Sequence, residues 1–153
     1  MKIKGLISED FVNYKKPAMT IMFPYCTFKC GTEYCQNSPL AKLENIELSI
    51  TDIINRYIDN PITESVVMQG LEPFDSWNDL IEFVKQLRES TDDDIVIYTG
   101  YYKEEIANRI ALLSKYKNIV IKYGRYIPRQ EKHYDEVLGV YLASSNQYAE
   151  RIS

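Results

Sequence analysis

The residues with the clearest chemical potential are three cysteines in one short stretch, Cys26, Cys30 and Cys35, and the chain has no others. Thiolates are soft ligands that suit zinc and iron–sulfur clusters. Three of them in a single loop can bind one metal centre and leave it one protein ligand short. A [4Fe–4S] cluster with three cysteine ligands keeps an iron at which a small molecule can bind. Such a centre indicates an enzyme rather than an electron carrier.

Two other interpretations of the cysteines remain open. A structural zinc site takes four protein ligands, and the single histidine, His133, lies far along the chain in a charged stretch. Three buried thiols without any metal are the other alternative, although their clustering argues against it. The residues alone therefore favour an open iron–sulfur cluster over zinc and unliganded thiols.

Strand and helix patterns alternate along the chain and must position this loop. The predicted strands are 3–7, 18–23, 65–69, 95–98, 118–122 and 137–142. Helical spacing of apolar residues predicts three helices between them, the first capped by Ser49 or Thr51 and the second by Asp75 or Ser76. Strands that alternate with single helices form right-handed crossovers and a parallel sheet.

The number of these units limits the architecture. About five strands are too few for a closed eight-stranded barrel. The predicted fold class is therefore α/β, an open partial (β/α) barrel of about five mostly parallel strands with helices on the outer face.

Candidate functional residues stand at the ends of different predicted strands. In parallel βα folds, function collects at the carboxyl ends of the strands. The cysteine loop, the turn Gly70-Leu71-Glu72, Thr99 and Lys122 each follow or end a strand. We expect them to converge on one rim and form a composite site.

Composition sets the broad class. With 45% hydrophobic and 26% charged residues, the chain is an ordinary globular one, and its length predicts a single domain, residues 1–153. A net charge of −4 argues against a protein that coats nucleic acid. No stretch reaches the ~20 apolar residues of a membrane span, and the N-terminus has no signal-peptide pattern. We therefore expect a cytoplasmic protein that binds neither nucleic acid nor membrane.

Four stretches resemble the radical S-adenosylmethionine (SAM) superfamily and, within it, the activating proteins of anaerobic (class III) ribonucleoside-triphosphate reductase. They are Cys26-x3-Cys30-x4-Cys35 with Tyr34 before the last cysteine, Val66-Val67-Met68-Gln69-Gly70-Leu71-Glu72-Pro73, Ile97-Tyr98-Thr99-Gly100-Tyr101 and Ala143-Ser144-Ser145-Asn146-Gln147. Their order and spacing agree with that family over nearly the whole chain. The chain departs from it in two extra residues before Cys35 and in Leu71, where the family has a second glycine.

The resemblance implies a set of ligands and contacts. Cys26, Cys30 and Cys35 would bind a [4Fe–4S] cluster whose fourth iron chelates the amino and carboxylate groups of SAM. The implied cofactor-binding residues are Tyr34 on the adenine, Gln69, Gly70 for close backbone approach, Glu72 on the amino group, Pro73 for a stiff turn, Thr99, and Lys122 on the carboxylate. The resemblance implies no catalytic side chain beyond the cluster and SAM.

The function implied by the resemblance is that of a glycyl radical activase. The cluster would be reduced by an electron donor such as flavodoxin or ferredoxin and would cleave SAM reductively. The resulting radical would remove hydrogen from a glycine of a large partner enzyme, the anaerobic ribonucleotide reductase. Two alternatives remain: an activase of another glycyl radical enzyme, and a small zinc or iron–sulfur interaction module without SAM chemistry.

Overall fold

A computed structural model describes residues 1–27 and 38–153 of the chain. Its strands are β1 (Lys2–Ile3), β2 (Gly5–Asp10), β3 (Ala18–Phe23), β4 (Ile46–Glu47), β5 (Ser65–Gly70), β6 (Asp94–Tyr98), β7 (Ile119–Tyr123), β8 (His133–Asp135), β9 (Val140–Leu142) and β10 (Tyr148–Arg151). Its helices are α1 (Ser38–Ala41), α2 (Ile50–Asp59), α3 (Trp77–Arg88) and α4 (Ala107–Leu113). Short 3₁₀ turns, Pro73–Ser76 and Lys103–Ile106, precede α3 and α4. None of the helices in these described ranges is long and apolar enough to cross a membrane.

The main sheet positions the candidate site. Among the described residues it has six strands in the order β10-β7-β6-β5-β3-β2. The four inner strands run parallel, whereas β2 and β10 are antiparallel to their neighbours. Small antiparallel ladders join β1 to β4 and β8 to β9. The carboxyl ends of β3, β5, β6 and β7 therefore lie along one edge of the sheet.

Side-chain alternation divides the sheet into two buried faces. Residues two apart point to the same face of a strand, so Val66 and Met68 of β5 face one way and Val67 the other. Val66 and Met68 pack with the apolar stripes of α2, α3 and α4 in the larger core. Val67 packs in a smaller core with Tyr14, Leu138 and other residues of non-helical segments. Both faces of the parallel strands are covered, which explains why those strands are nearly continuous apolar runs.

Local signals explain where the helices begin. Ser49 caps α2, since its hydroxyl accepts a hydrogen bond from the backbone N–H of Asp52 at 3.0 Å. The predicted start of α3 after Asp75 or Ser76 is confirmed, because Ser76 is its N-cap residue, but the expected capping hydrogen bond does not form. Ser76 stands at the cap position without a capping hydrogen bond from its side chain, and the Asp75 carboxylate binds other groups.

The predicted open partial barrel is also wrong. In the described part of the chain the main sheet is mixed, because the edge of β3 pairs with the preceding strand β2 and the outer edge of β7 pairs with β10. Antiparallel strands at both edges end the succession of parallel crossovers from which a barrel is built. Strand β10 has only a weak sequence signal, since Tyr148–Arg151 is short and largely polar.

Candidate iron–sulfur and cofactor site

The described candidate residues meet along the rim formed by the carboxyl ends of the parallel strands. Strand order places Cys26 after β3, the turn from Gly70 to Glu72 after β5, Thr99 after β6, and Lys122 within β7. Neighbouring strands are about 4.8 Å apart, so the rim from β3 to β7 spans roughly 14 Å. This width suits an extended small molecule.

A cavity of about 390 Å³ opens at this rim and is called the rim cavity below. The candidate residues among its lining are Cys26, Gln69, Gly70, Glu72, Thr99 and Lys122. The expectation of convergence on one rim is thus confirmed for these residues. Tyr34, Cys30 and Cys35 lie outside the described residues, and their roles stay predictions, as do the ligand roles of the others.

Gly70 makes the sharp turn at the end of β5 possible. Its φ of +99° is in the region that favours glycine, and a Cβ there would lie 2.6 Å from the Phe23 backbone nitrogen. Close approach at this glycine is therefore to the backbone of β3. Leu71 has no such requirement, because the only non-glycine residues with positive φ in the described ranges are Asn118 and Arg129. Leucine in place of a second glycine is compatible with this backbone.

Glu72 joins the ends of two strands through its buried carboxyl group. Its Oε1 accepts hydrogen bonds from the Thr99 hydroxyl at 2.8 Å and the Phe74 N–H at 3.1 Å. Its Oε2 accepts one from the Gly100 N–H at 2.8 Å. Burial raises the pKa of Glu72 to about 7, although these hydrogen bonds oppose the rise. Pro73 follows at the start of the 3₁₀ turn, where its missing N–H costs nothing.

Three polar side chains line the rim cavity from the sheet face opposite the helices. Gln69, Tyr98 and Lys122 share that face because their sequence neighbours pack against the helices. Lys122 is buried, its Nζ donates to the Gly124 carbonyl at 3.1 Å, and it lies 5.8 Å from the centre of the Tyr98 ring. The cavity therefore carries a buried cation in addition to the Glu72 carboxyl group.

The comparison with protein-family models identifies the family. The model described as 4Fe-4S single cluster domain matches residues 17–148, which is most of the chain and includes all three cysteines. The chain belongs to the 4Fe-4S single cluster domain family. Comparison with curated proteins found no match, and comparison with solved structures found none.

Membership of the 4Fe-4S single cluster domain family supports a 4Fe–4S cluster as cofactor and disfavours zinc and unliganded thiols. The donor set fits this group, because sulfur is the usual ligand of such clusters and the chain has three cysteines within ten residues. The described one, Cys26, is half-buried and lines the rim cavity. His133, the residue considered for a zinc site, lies in the small β8–β9 ladder.

Asn146 and Gln147 of this 4Fe-4S domain make contacts that the sequence did not predict. Asn146 Nδ2 donates to the Arg125 carbonyl at 2.7 Å and to the Tyr102 hydroxyl at 2.9 Å. Gln147 lines the cavity and donates to the Gly124 carbonyl at 3.2 Å. The stretch Ser144 to Gln147 therefore fixes the backbone that follows β7. In the sequence, the only sign that this stretch matters was its resemblance to the activating proteins. That resemblance did not predict these contacts.

Proposed function

We propose that this protein is a radical SAM activase, which cleaves SAM reductively and forms a glycyl radical on an anaerobic ribonucleotide reductase. The observation that carries the proposal is the rim cavity. Cys26 lines the same space as Gly70, Leu71 and Glu72, which belong to the turn that resembles the SAM-binding turn of that superfamily. Membership of a 4Fe–4S family, together with a described cysteine that lines a cavity of ligand size, supports this chemistry.

In this proposal the cysteines bind the cluster and the rim cavity binds SAM. Cys26, Cys30 and Cys35 would bind the cluster, which when bound would pass an electron from a flavodoxin or ferredoxin to the sulfonium of SAM. The protein's own task is to bind SAM, orient it and exclude side reactions. No general acid or base is needed for this step.

Glu72 and Lys122 complement the two charges of an amino-acid group. Within the described residues, Glu72 Oε2 accepts one hydrogen bond, and a carboxylate oxygen can accept two. It can therefore accept another from the ammonium group of SAM. Lys122 supplies positive charge for the carboxylate of SAM, while Gln69 and Thr99 present amide and hydroxyl groups to the same cavity.

Exposed apolar side chains at the cavity support a protein substrate. Val12 and Tyr141 line the rim cavity and are 75% and 71% exposed. A contiguous exposed apolar patch beside a site is typical of contacts with another protein. The proposal also treats residues 1–153 as a single domain, because one main sheet contains strands from β2 to β10. It assigns the protein to the cytoplasm, where thiols stay reduced.

One observation favours a second candidate, a cluster-binding interaction module without SAM chemistry. The Glu72 carboxylate already accepts three hydrogen bonds from the protein, so the turn has a structural role even without a ligand. In that case the cluster would stabilise a loop that contacts a partner protein.

Anaerobic incubation with a candidate partner separates the two. The reconstituted, reduced protein is mixed with SAM and an anaerobic ribonucleotide reductase encoded beside it, and the mixture is frozen for EPR. We expect a doublet signal on the reductase that depends on SAM and is absent from a reductase in which the radical glycine is replaced by alanine. A doublet on another glycyl radical enzyme alone would reassign the partner. If no partner shows a doublet and this protein nevertheless binds a partner tightly, the interaction module would be favoured.

A further inference from the structure

The start of the cysteine loop is attached to the turn after β5 on both sides of Cys26. On one side, the backbone N–H of Glu72 donates to the Tyr25 carbonyl at 2.7 Å. On the other side, the backbone N–H of Thr27 donates to Asp75 Oδ2 at 2.9 Å. The first bond joins two backbone groups, but the second requires the Asp75 side chain. Of these two hydrogen bonds beside Cys26, the second therefore depends on the Asp75 carboxylate.

The Asp75 carboxylate is itself oriented by the next strand connection. Its Oδ1 accepts a hydrogen bond from the Tyr101 hydroxyl at 2.6 Å. The backbone of Tyr101 is fixed in turn, because its N–H donates to the Thr99 hydroxyl at 3.0 Å and its carbonyl accepts from the Gly124 N–H at 3.1 Å. Asp75 thus connects the cysteine loop to the ends of β6 and β7.

We propose that Asp75 is a positioning residue for the cluster ligand Cys26, acting as the hydrogen-bond acceptor that fixes the backbone after it. The inference depends on Cys26 being a cluster ligand, and it does not depend on SAM chemistry. Partners that orient the ligands of a metal site typically change metal affinity by about 10- to 100-fold when removed. Fixing the backbone beside the first ligand has the same consequence, because the thiolate must hold its position while the other ligands bind.

The chain offers a graded set of variants for the test. Asp75→Ala removes the acceptor, whereas Asp75→Asn keeps an oxygen that can accept from Thr27 and an amide that can donate to the Tyr101 hydroxyl. Tyr101→Phe keeps Asp75 but removes the group that orients it. Asp79→Ala is the matched control, since Asp79 is an acidic residue of the first turn of α3 and, within the described part of the chain, Thr27 and the Tyr101 hydroxyl bond to Asp75 instead.

Each variant is reconstituted anaerobically with iron and sulfide, and three quantities are measured: bound iron, the EPR spectrum of the reduced cluster, and the rate of cluster loss to an iron chelator. We expect Asp75→Ala to lose its cluster about tenfold faster than the unchanged protein or more, with an altered EPR spectrum. Tyr101→Phe should have a smaller effect in the same direction. Asp75→Asn should restore both the rate and the spectrum.

Two results would overturn the inference. The first is chelator resistance of Asp75→Ala equal to that of Asp79→Ala with an unchanged spectrum. The second is an Asp75→Asn protein as defective as Asp75→Ala, because the acceptor would then not be the property that matters. Thermal unfolding of the metal-free variants checks that they fold. None of these readouts uses SAM, so failure of the proposed SAM cleavage would leave this test unaffected.

Discussion

Two buried carboxyl groups stand at opposite ends of the parallel strands, and their surroundings differ. Asp94 begins β6 and accepts from Lys16 at 2.8 Å, Tyr14 at 2.9 Å and Arg151 at 3.1 Å. Glu72, at the carboxyl ends of the strands, is equally buried, but its three donors are all uncharged. The Asp94 carboxylate is neutralised by two cations of the protein, whereas Glu72 has no ion pair within residues 1–27 and 38–153.

The pKa values follow from this difference. Burial by itself would raise the pKa of Asp94, but the hydrogen bonds and charges around it outweigh burial and lower it. At Glu72 burial dominates and raises the pKa to about 7. A buried carboxyl group that lines a cavity without a paired cation is a candidate for binding a cationic ligand. The charge pairing at the amino end of the sheet stabilises the fold, whereas the surroundings of Glu72 support the ligand site that we propose at the carboxyl end.

The largest expected effect is at the cysteines. Cys26→Ala, Cys30→Ala and Cys35→Ala should each abolish cluster assembly and SAM cleavage, because an open cluster needs all three thiolates. Asp94→Ala should assemble a full cluster. Iron content after anaerobic reconstitution and the yield of methionine from SAM measure both. A cysteine variant with full activity would remove that residue from the cluster.

The second effect is a fall in stability with pH that comes from Glu72. The folded state binds this proton more tightly than the unfolded state, so the free energy of unfolding should fall as pH rises from 4.5 to about 7. A shift of this size corresponds to about 3 kcal/mol. The lowered pKa of Asp94 has the opposite effect. Its contribution to the free energy of unfolding is present above pH 3.8 and is lost as the pH falls below that value.

Urea unfolding of the reduced, metal-free protein at about pH 5 and about pH 8 measures this effect, with Glu72→Gln as the variant that cannot titrate. The unchanged protein should lose stability relative to Glu72→Gln across this interval. Parallel pH profiles for the two proteins would show that Glu72 does not carry a raised pKa.

The third effect is the stability lost with Asp94. Asp94→Ala leaves the buried Tyr14 hydroxyl and two cations without their partner, which should lower the free energy of unfolding by about 2 kcal/mol. The figure is below that for a fully buried pair because the Lys16 and Arg151 side chains are 43% and 41% exposed. Urea unfolding at neutral pH is the measurement.

A matched control lies two residues earlier. Asp92 pairs with Lys117 at 3.6 Å on the surface, where both side chains are more than half exposed. Asp92→Ala should change stability by less than about 0.5 kcal/mol. If Asp92→Ala and Asp94→Ala lower the free energy of unfolding equally, the charge pairing of Asp94 stabilises the protein no more than a surface ion pair does.

The sequence predicted the inner part of the fold well. The strand Ala18–Phe23 has the predicted bounds, and β5, β6 and β7 each lie within one residue of theirs. Continuous apolar runs between amphipathic helices are strong local signals. The edges were predicted less well: the predicted strand 3–7 overlaps β1 and β2, but β10 was missed because an edge strand such as Tyr148–Arg151 is set by its partner rather than by its own pattern. The barrel prediction failed because the antiparallel pairing at both edges of the sheet was not foreseen.

The sequence also predicted that one rim would hold Cys26, Gly70, Glu72, Thr99 and Lys122. This was possible because the alternation of strands and helices shows where each parallel strand ends. It could not predict how these residues are bonded. The link from Glu72 to Thr99 and Gly100, and the link from Asp75 to Thr27, join segments far apart in the chain. Such contacts depend on the three-dimensional register of loops, for which no local signal exists.

The most direct test of the central claim is whether SAM binds at the cluster. The protein is reconstituted anaerobically, reduced with dithionite, and its EPR spectrum is recorded with and without SAM, while methionine and 5′-deoxyadenosine are quantified in the same samples. We predict that SAM changes the spectrum and that the two products form in equal amounts. A cluster whose spectrum is indifferent to SAM, with neither product formed, would contradict the account.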